Sequence, residues 1–159
     1  MRPNHIMIDY ESLQQVDLQL LAPHDQFKVT VFVGAQQKRI DIKFVQALQA
    51  LGMRGKYVQI DGTGPNALDF HIAFYIGRYA QVDPTTFFHV ISRDHGFDPL
   101  IRHLKSLNIF CARCTSISHI PIIRNSLALT AESRAEILAD DYLQRPRSRP
   151  ATRRTLLSA

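Results

Sequence analysis

The sequence predicts an α/β fold: a three-layer sandwich in which helices cover both faces of a central five-stranded, mostly parallel sheet. Two observations predict it. Five short apolar runs are separated by longer stretches in which apolar residues recur at helical spacing. Runs of about four to eight residues that stay apolar throughout are typical of parallel strands buried on both faces.

The five predicted strands are rich in β-branched and aromatic residues. They cover residues 5–9, 27–33, 56–60, 86–92 and 108–114. The clearest is the second, FKVTVFV, because its valines and phenylalanines favour extended structure and polar or turn residues flank it.

The helices are predicted from the spacing of apolar residues. In the stretches 40–51, 66–79 and 97–107, these residues recur every three or four positions and therefore share one helical face. Each of these helices connects two predicted strands, and such strand–helix–strand units form right-handed crossovers between parallel strands. A last helix is predicted over 122–143.

These elements divide the chain into three parts. Residues 1–120 form the predicted α/β domain, residues 121–143 a helix that packs on it or extends it, and residues 144–159 a basic tail with the composition of a disordered segment. No apolar run reaches the roughly 18 residues of a membrane span, the N-terminus does not resemble a signal peptide, and two cysteines make no disulfide framework. These features indicate a cytoplasmic protein that does not act at a membrane.

The net charge of +5 is a property of the tail. Five of the nineteen basic residues are arginines after Leu143, and the remaining fourteen match the fourteen acidic residues in number. A basic tail attracts phosphates regardless of nucleotide sequence. The alternative interpretation is a solvated extension, or a linker to another segment.

Three carboxylates fall where a ligand site is expected. Asp9 directly follows the first predicted strand, Asp94 follows the fourth, and Asp69 lies in the first turn of the helix that leads to the fourth strand. Ligands of open α/β sheets bind beyond the carboxyl ends of the strands. If the first and fourth strands are neighbours, the three carboxylates converge there. Clustered carboxylates repel one another unless a cation compensates, and oxygen ligands suit Mg²⁺ or Mn²⁺.

Each of these acids also has a purely structural interpretation. Asp9 and Asp94 could cap helix N-termini, and Asp69 could be an ordinary surface residue in a first turn. Their joint placement, at two strand ends and one helix start, favours the metal site.

Three segments resemble the PIN-like superfamily of nucleases, and in particular its NYN-related branch. The opening strand and its acidic turn are matched by IMIDYESLQ (6–14), and the central helix is matched by NALDFHIAFYIGRY (66–79). The last acidic motif is matched by VISRDHGFDPLIRHL (90–104). The resemblance extends over roughly residues 4–118.

The resemblance implies a metal-dependent nuclease that hydrolyses phosphodiester bonds, with RNA favoured over DNA as its substrate. Position by position, Asp9, Asp69 and Asp94 match the acids that bind the metal and carry catalysis. The implied cofactor is Mg²⁺ or Mn²⁺. Many members of the superfamily dimerise, so a homodimer is a further expectation.

Residues beside these acids are expected to support them. Four would orient the ligands or a water molecule, namely Glu11, Ser12, Asn66 and Ser92. Four more would contact the substrate, namely Gln36, Lys38, Arg39 and Arg93.

The chain departs from the superfamily pattern at two positions. Gly96 stands where a second aspartate is frequent in the last motif, and Asp98, two positions later, is a further candidate metal ligand. Ser12 replaces the usual asparagine in the opening turn. These departures leave a second hypothesis, in which the domain is catalytically weak or inactive and serves as a nucleic-acid-binding or regulatory module.

Overall fold

A computed structural model describes the backbone of residues 2–144 and the side chains of residues 2–133 and 135. The predicted basic tail, 144–159, therefore lies outside the described residues except for its first position. Within the described part of the chain, no helix combines the length and the apolar character needed to cross a membrane.

Within residues 2–144, five parallel strands form a single sheet in the order β3-β2-β1-β4-β5. They are β1 (Asn4–Asp9), β2 (Phe27–Val33), β3 (Gly55–Gln59), β4 (Phe87–Ile91) and β5 (Phe110–Cys114). The predicted five-stranded α/β sheet is thereby confirmed, and every strand pair in it is parallel. Strands β1 and β4 are neighbours, with Ile8 opposite Ile91, so Asp9 and Ser92 follow at the same edge.

The described residues form four α-helices, close to where apolar spacing predicts them. They are α1 (Ile42–Ala50), α2 (Ala67–Val82), α3 (Phe97–Ser106) and α4 (Pro121–Gln144). Helix α1 begins two residues later than predicted because the Asp41 carboxylate accepts hydrogen bonds from the backbone N–H groups of Lys43 and Phe44 and so caps the helix. A compact unit ends at Ile123, and α4 continues beyond it.

The apolar core lies in two layers, one on each face of the sheet. Side chains alternate along β1, so Ile6 and Ile8 pack on the face covered by α1, whereas Met7 packs on the face covered by α2 and α3. By the same alternation, Asp9 belongs to the face of Met7. The central strand therefore ends with a carboxylate on the side where α2 begins.

Candidate active site

A cleft of about 190 Å³ lies at the carboxyl ends of β1 and β4, beside the first turn of α2. Its lining residues are Asp9, Glu11, Ser12, Asn66, Ala67, Leu68, Asp69 and Asp94. The three predicted aspartates all line this cleft, together with three of the four residues expected to support them. The fourth, Ser92, is buried and forms hydrogen bonds with two of the aspartates.

Asp9 is held firmly where β1 ends. Its side chain is buried, and Oδ1 accepts hydrogen bonds from the backbone N–H groups of Glu11 (3.1 Å) and Ser12 (3.0 Å). The hydroxyl of Ser92 donates to Oδ2 at 2.7 Å. The turn after β1 is therefore folded around this carboxylate, and the same bonds fix its orientation at the cleft. No helix begins at this turn, because the first helical segment, Leu18–Leu21, is capped by Asp17.

Two serines connect the turn after β1 to the loop after β4. Ser92 Oγ also accepts a hydrogen bond from the backbone N–H of Asp94 at 3.0 Å. Ser12 Oγ accepts one from the backbone N–H of Arg93 at 2.8 Å. Because these two hydroxyls form hydrogen bonds between the two loops, they help to fix the positions of Asp9 and Asp94 relative to each other.

Asp94 is exposed on the loop between β4 and α3. Its Oδ1 accepts a hydrogen bond from the backbone N–H of Gly96 at 2.7 Å. A Cβ atom at position 96 would lie 3.1 Å from that oxygen, closer than an ordinary contact. The glycine that departs from the superfamily pattern thus contributes a backbone donor to Asp94 at the position where a second carboxylate is frequent.

The pKa of the Asp69 carboxyl group is affected by the other carboxylates at the cleft. Burial in the first turn of α2, followed by the negative charges of Asp9, Asp94 and Glu11, raises the pKa of Asp69 to about 6. The residue just before the helix, Asn66, has a left-handed backbone (φ 61°) that turns the chain into α2. Its side chain makes no capping hydrogen bond and lines the cleft.

Gly34, which sequence reasoning missed, makes room for Glu11. A Cβ atom at Gly34 would lie 1.8 Å from Oε1 of Glu11, so the carboxylate rests directly on the backbone just after β2. The signal in the sequence was a glycine directly after the second predicted strand, at the edge where ligands bind. Glu11 thereby becomes the fourth carboxylate at the cleft.

The chemistry of this donor set fits a hard divalent cation, since four carboxylates line one small cleft. Across the described residues, no three acidic, histidine or cysteine side chains are arranged as a formed metal site. A carboxylate oxygen accepts through two lone pairs, so Oδ1 of Asp9 is filled by its two backbone donors and Oδ2 keeps one lone pair beside Ser92. Asp69 and Asp94 would hold the cation together with Asp9.

Asp98 is not among the residues that line the cleft. It pairs with Arg113 of β5, whose Nε lies 2.8 Å from Oδ1, and its Oδ2 lies 3.1 Å from Nδ1 of His95. Hydrogen bonds from Arg113 and His95 lower the pKa of Asp98 to about 2. The structure therefore gives this carboxylate a role in joining α3 to β5.

None of the four residues expected to contact the substrate is among those that line the cleft. Gln36 lines a neighbouring pocket of about 140 Å³ that also includes Glu11. Arg39 lines a larger pocket of about 750 Å³. Lys38 and Arg93 are exposed and line neither pocket, although Arg93 directly precedes Asp94.

One comparison with known proteins identifies a relationship. A family model described as a PIN domain matches residues 3–114, which span all five strands and three of the helices. No curated protein and no solved structure gives a significant match.

Proposed function

The chain belongs to the PIN domain family, whose members are usually nucleases, and on that premise we propose a metal-dependent nuclease whose cation is held by Asp9, Asp69 and Asp94. The observation that carries the proposal is the convergence of these three carboxylates on one cleft at the carboxyl edge of the sheet. The raised pKa of Asp69 agrees with this convergence, because the charges of the other two aspartates contribute to it after the larger effect of burial.

Each residue has a task in this proposal. A bound divalent cation would activate water and offset the charge that develops on the phosphodiester. Asp9, whose orientation is fixed by Ser92 and the turn after β1, supplies the rigid part of the binding site. Asp69 and Asp94 complete it from α2 and from the loop after β4. Glu11, supported by Gly34, is available to orient a water molecule at the same cleft.

We propose RNA in preference to DNA as the substrate, on the strength of the resemblance to the NYN-related branch. The exposed basic residues Lys38, Arg39 and Arg93, near the carboxyl edge of the sheet, provide phosphate contacts of the kind that position a nucleic acid. These contacts carry no sequence preference of their own.

The test is cleavage of labelled RNA and DNA in the presence of Mg²⁺ or Mn²⁺. Wild type is compared with Asp9→Asn, Asp69→Asn and Asp94→Asn, each of which removes one charge and changes little in shape. Asp25→Asn is the matched control, because the Asp25 side chain is 95% exposed and precedes β2 at the opposite end of the sheet. Cleavage that requires metal and disappears only in the three cleft variants supports the proposal, whereas cleavage that survives in all of them refutes it.

A second function is favoured by the hydrogen bonds of Asp9. Three of the four lone pairs of this carboxylate already accept hydrogen bonds from the protein, and position 96 lacks a carboxylate. Both features weaken a metal site and suit a domain that binds nucleic acid without cutting it. Binding of RNA by wild type, with no cleavage in any metal, would favour this alternative.

A further inference from the structure

Arg113 lies in β5, beside the part of the chain that carries Asp94. It stands opposite Val90 of the neighbouring strand β4, and its side chain is only 14% exposed. The loop after β4 and the first two residues of α3 make up residues 92–98, which we call the Asp94 segment. Arg113 therefore belongs to the scaffold beside a candidate metal ligand, although it does not line the cleft itself.

The guanidinium of Arg113 contacts the Asp94 segment at three points. Nη1 donates a hydrogen bond to the backbone carbonyl of Ser92 at 3.3 Å, and Nη2 lies 2.9 Å from Nδ1 of His95. Nε donates to Oδ1 of Asp98 at 2.8 Å. Because a guanidinium is planar and rigid, these contacts fix the start, the middle and the end of the segment relative to one another.

The position of the Asp94 carboxylate depends on the Asp94 segment. Oδ1 accepts from the backbone N–H of Gly96, and the backbone N–H of Asp94 donates to the hydroxyl of Ser92. Both partners belong to the segment, so the carboxylate moves with it. The Asp9 carboxylate accepts three hydrogen bonds, whereas the exposed Asp94 carboxylate accepts one among the described residues. The orientation of Asp94 therefore needs support from outside the segment, and Arg113 provides the charged part of that support.

The charge of Arg113 and its contacts act on cation binding in opposite directions. The hydrogen bond to Asp98 is the largest of the effects that raise the pKa of Arg113, and the negative charge of Asp94 is a smaller one. The guanidinium is therefore close enough to Asp94 to repel a cation bound there, which weakens binding. Holding Asp94 at the cleft strengthens binding, because less conformational freedom is lost when the cation arrives. The sign of a change in metal affinity thus separates the two effects.

We propose that Arg113 is a positioning residue of the metal site, which holds the Asp94 segment so that Asp94 is placed at the cleft before a cation binds. This inference rests on the proposed nuclease function, which assigns a cation to the cleft. It gives the ion pair between Arg113 and Asp98 a task beyond joining α3 to β5. Because Gly96 supplies no second carboxylate to this loop, the orientation of Asp94 matters more for the site.

The test is the affinity for Mn²⁺, measured by isothermal titration calorimetry on the full chain without nucleic acid. Arg113→Ala removes the contacts and the charge, whereas Arg113→Lys keeps the charge but not the planar fork. We expect both variants to bind Mn²⁺ at least about tenfold more weakly than wild type, as is typical when the support of a metal ligand is lost.

Arg54→Ala is the matched control. Arg54 is also largely buried, donates to the backbone carbonyl of His24 and pairs with Asp25, but it lies directly before β3, at the opposite end of the sheet. This variant is expected to bind Mn²⁺ as wild type does. Urea unfolding shows that each variant is folded, and Arg113→Lys replaces Arg113→Ala in the comparison if the latter is not.

A double-mutant cycle shows whether Arg113 acts through Asp94. In the Asp94→Asn background, a change at Arg113 should cause no further loss of Mn²⁺ affinity, because the ligand that it positions is already gone. Wild-type affinity in the Arg113 variants would show a merely structural role, and tighter binding by Arg113→Ala would show an effect of charge alone. Either result, or a further loss in the Asp94→Asn background, would overturn the inference.

Failure of the nuclease proposal gives a different result in the same measurement. Wild type would then bind no Mn²⁺, or would bind it as tightly as Asp9→Asn and Asp94→Asn do. Such a result would remove the metal site and this inference together, whereas failure of the inference alone leaves Mn²⁺ binding that depends on both aspartates.

Discussion

The hydroxyl of Ser92 donates a hydrogen bond of 2.7 Å to Oδ2 of Asp9 and joins the carboxyl ends of the neighbouring strands β1 and β4. Both side chains are buried, and the same hydroxyl accepts from the backbone N–H of Asp94. One small side chain thus orients one candidate metal ligand and anchors the loop that carries another.

Ser92→Ala is therefore expected to impair both stability and cleavage. Loss of the hydroxyl leaves a buried carboxylate oxygen and a loop N–H without their partner, which costs about 1–3 kcal/mol in the free energy of unfolding. Loss of the orienting contact is expected to lower cleavage by about 10- to 100-fold. Urea unfolding and metal-dependent cleavage measure the two effects. Ser106→Ala is the control, because that hydroxyl is exposed and donates only to a carbonyl of its own helix. Equal cleavage by the two variants would contradict the prediction.

The contact between Gly34 and Glu11 predicts a selective loss of function. In Gly34→Ala the new methyl group must displace the Glu11 carboxylate, whose end is exposed and flexible, so the free energy of unfolding should change by less than about 1 kcal/mol. Cleavage should fall about as far as it does in Glu11→Ala. A double-mutant cycle measures the coupling: the combined variant should lose no more activity than either single one. Additive losses would show that Gly34 acts through another group.

Gly77, by contrast, does not support a residue of the cleft, and its replacement is expected to increase stability. It lies in the interior of α2, and a Cβ atom there would meet no atom within 4 Å. Glycine in a helix interior costs about 0.5–1 kcal/mol relative to alanine, so Gly77→Ala should raise the free energy of unfolding by that amount and leave cleavage unchanged. Thermal or urea unfolding measures it. A destabilised Gly77→Ala would show that the space beside α2 is occupied in solution.

Some parts of the site could be predicted because they depend on patterns within a short stretch of sequence. An apolar run followed by an acid places Asp9 and Asp94 at strand ends, and the pairing of β1 with β4 then brings those ends together. Contacts between distant segments were not predictable in this way. Asp98 pairs with Arg113 because β5 lies beside β4, and Glu11 rests on Gly34 because β2 lies beside β1. Both depend on strand order, which apolar spacing alone does not determine.

Because His5 and His89 are buried, we predict that mild acid destabilises the domain. Burial, followed by the positive charges of Lys56 and Lys28, lowers the pKa of His5 to about 4, and burial alone lowers the pKa of His89 to about 4. In the unfolded chain both imidazoles have a pKa near 6.5. As pH falls below about 6.5 the unfolded state takes up protons that the folded state does not take up until about pH 4. The contribution of these two histidines to the free energy of unfolding is therefore fully present above about pH 6.5. It is lost as the pH falls from there to pH 4.

The size of this effect and its origin can be measured together. At about pH 5 each histidine should lower the free energy of unfolding by about 2 kcal/mol relative to neutral pH. The substitution His89→Gln keeps an N–H group for Oδ1 of Asn4, the present partner of Nε2, and removes the titrating group. Urea unfolding at about pH 7 and about pH 5 should show a loss in this variant that is about 2 kcal/mol smaller than the wild-type loss. His103→Gln, at an exposed position of α3, is the matched control. If wild type and His89→Gln lose the same free energy between the two pH values, then protonation of this buried imidazole does not drive acid unfolding, and other groups must be responsible.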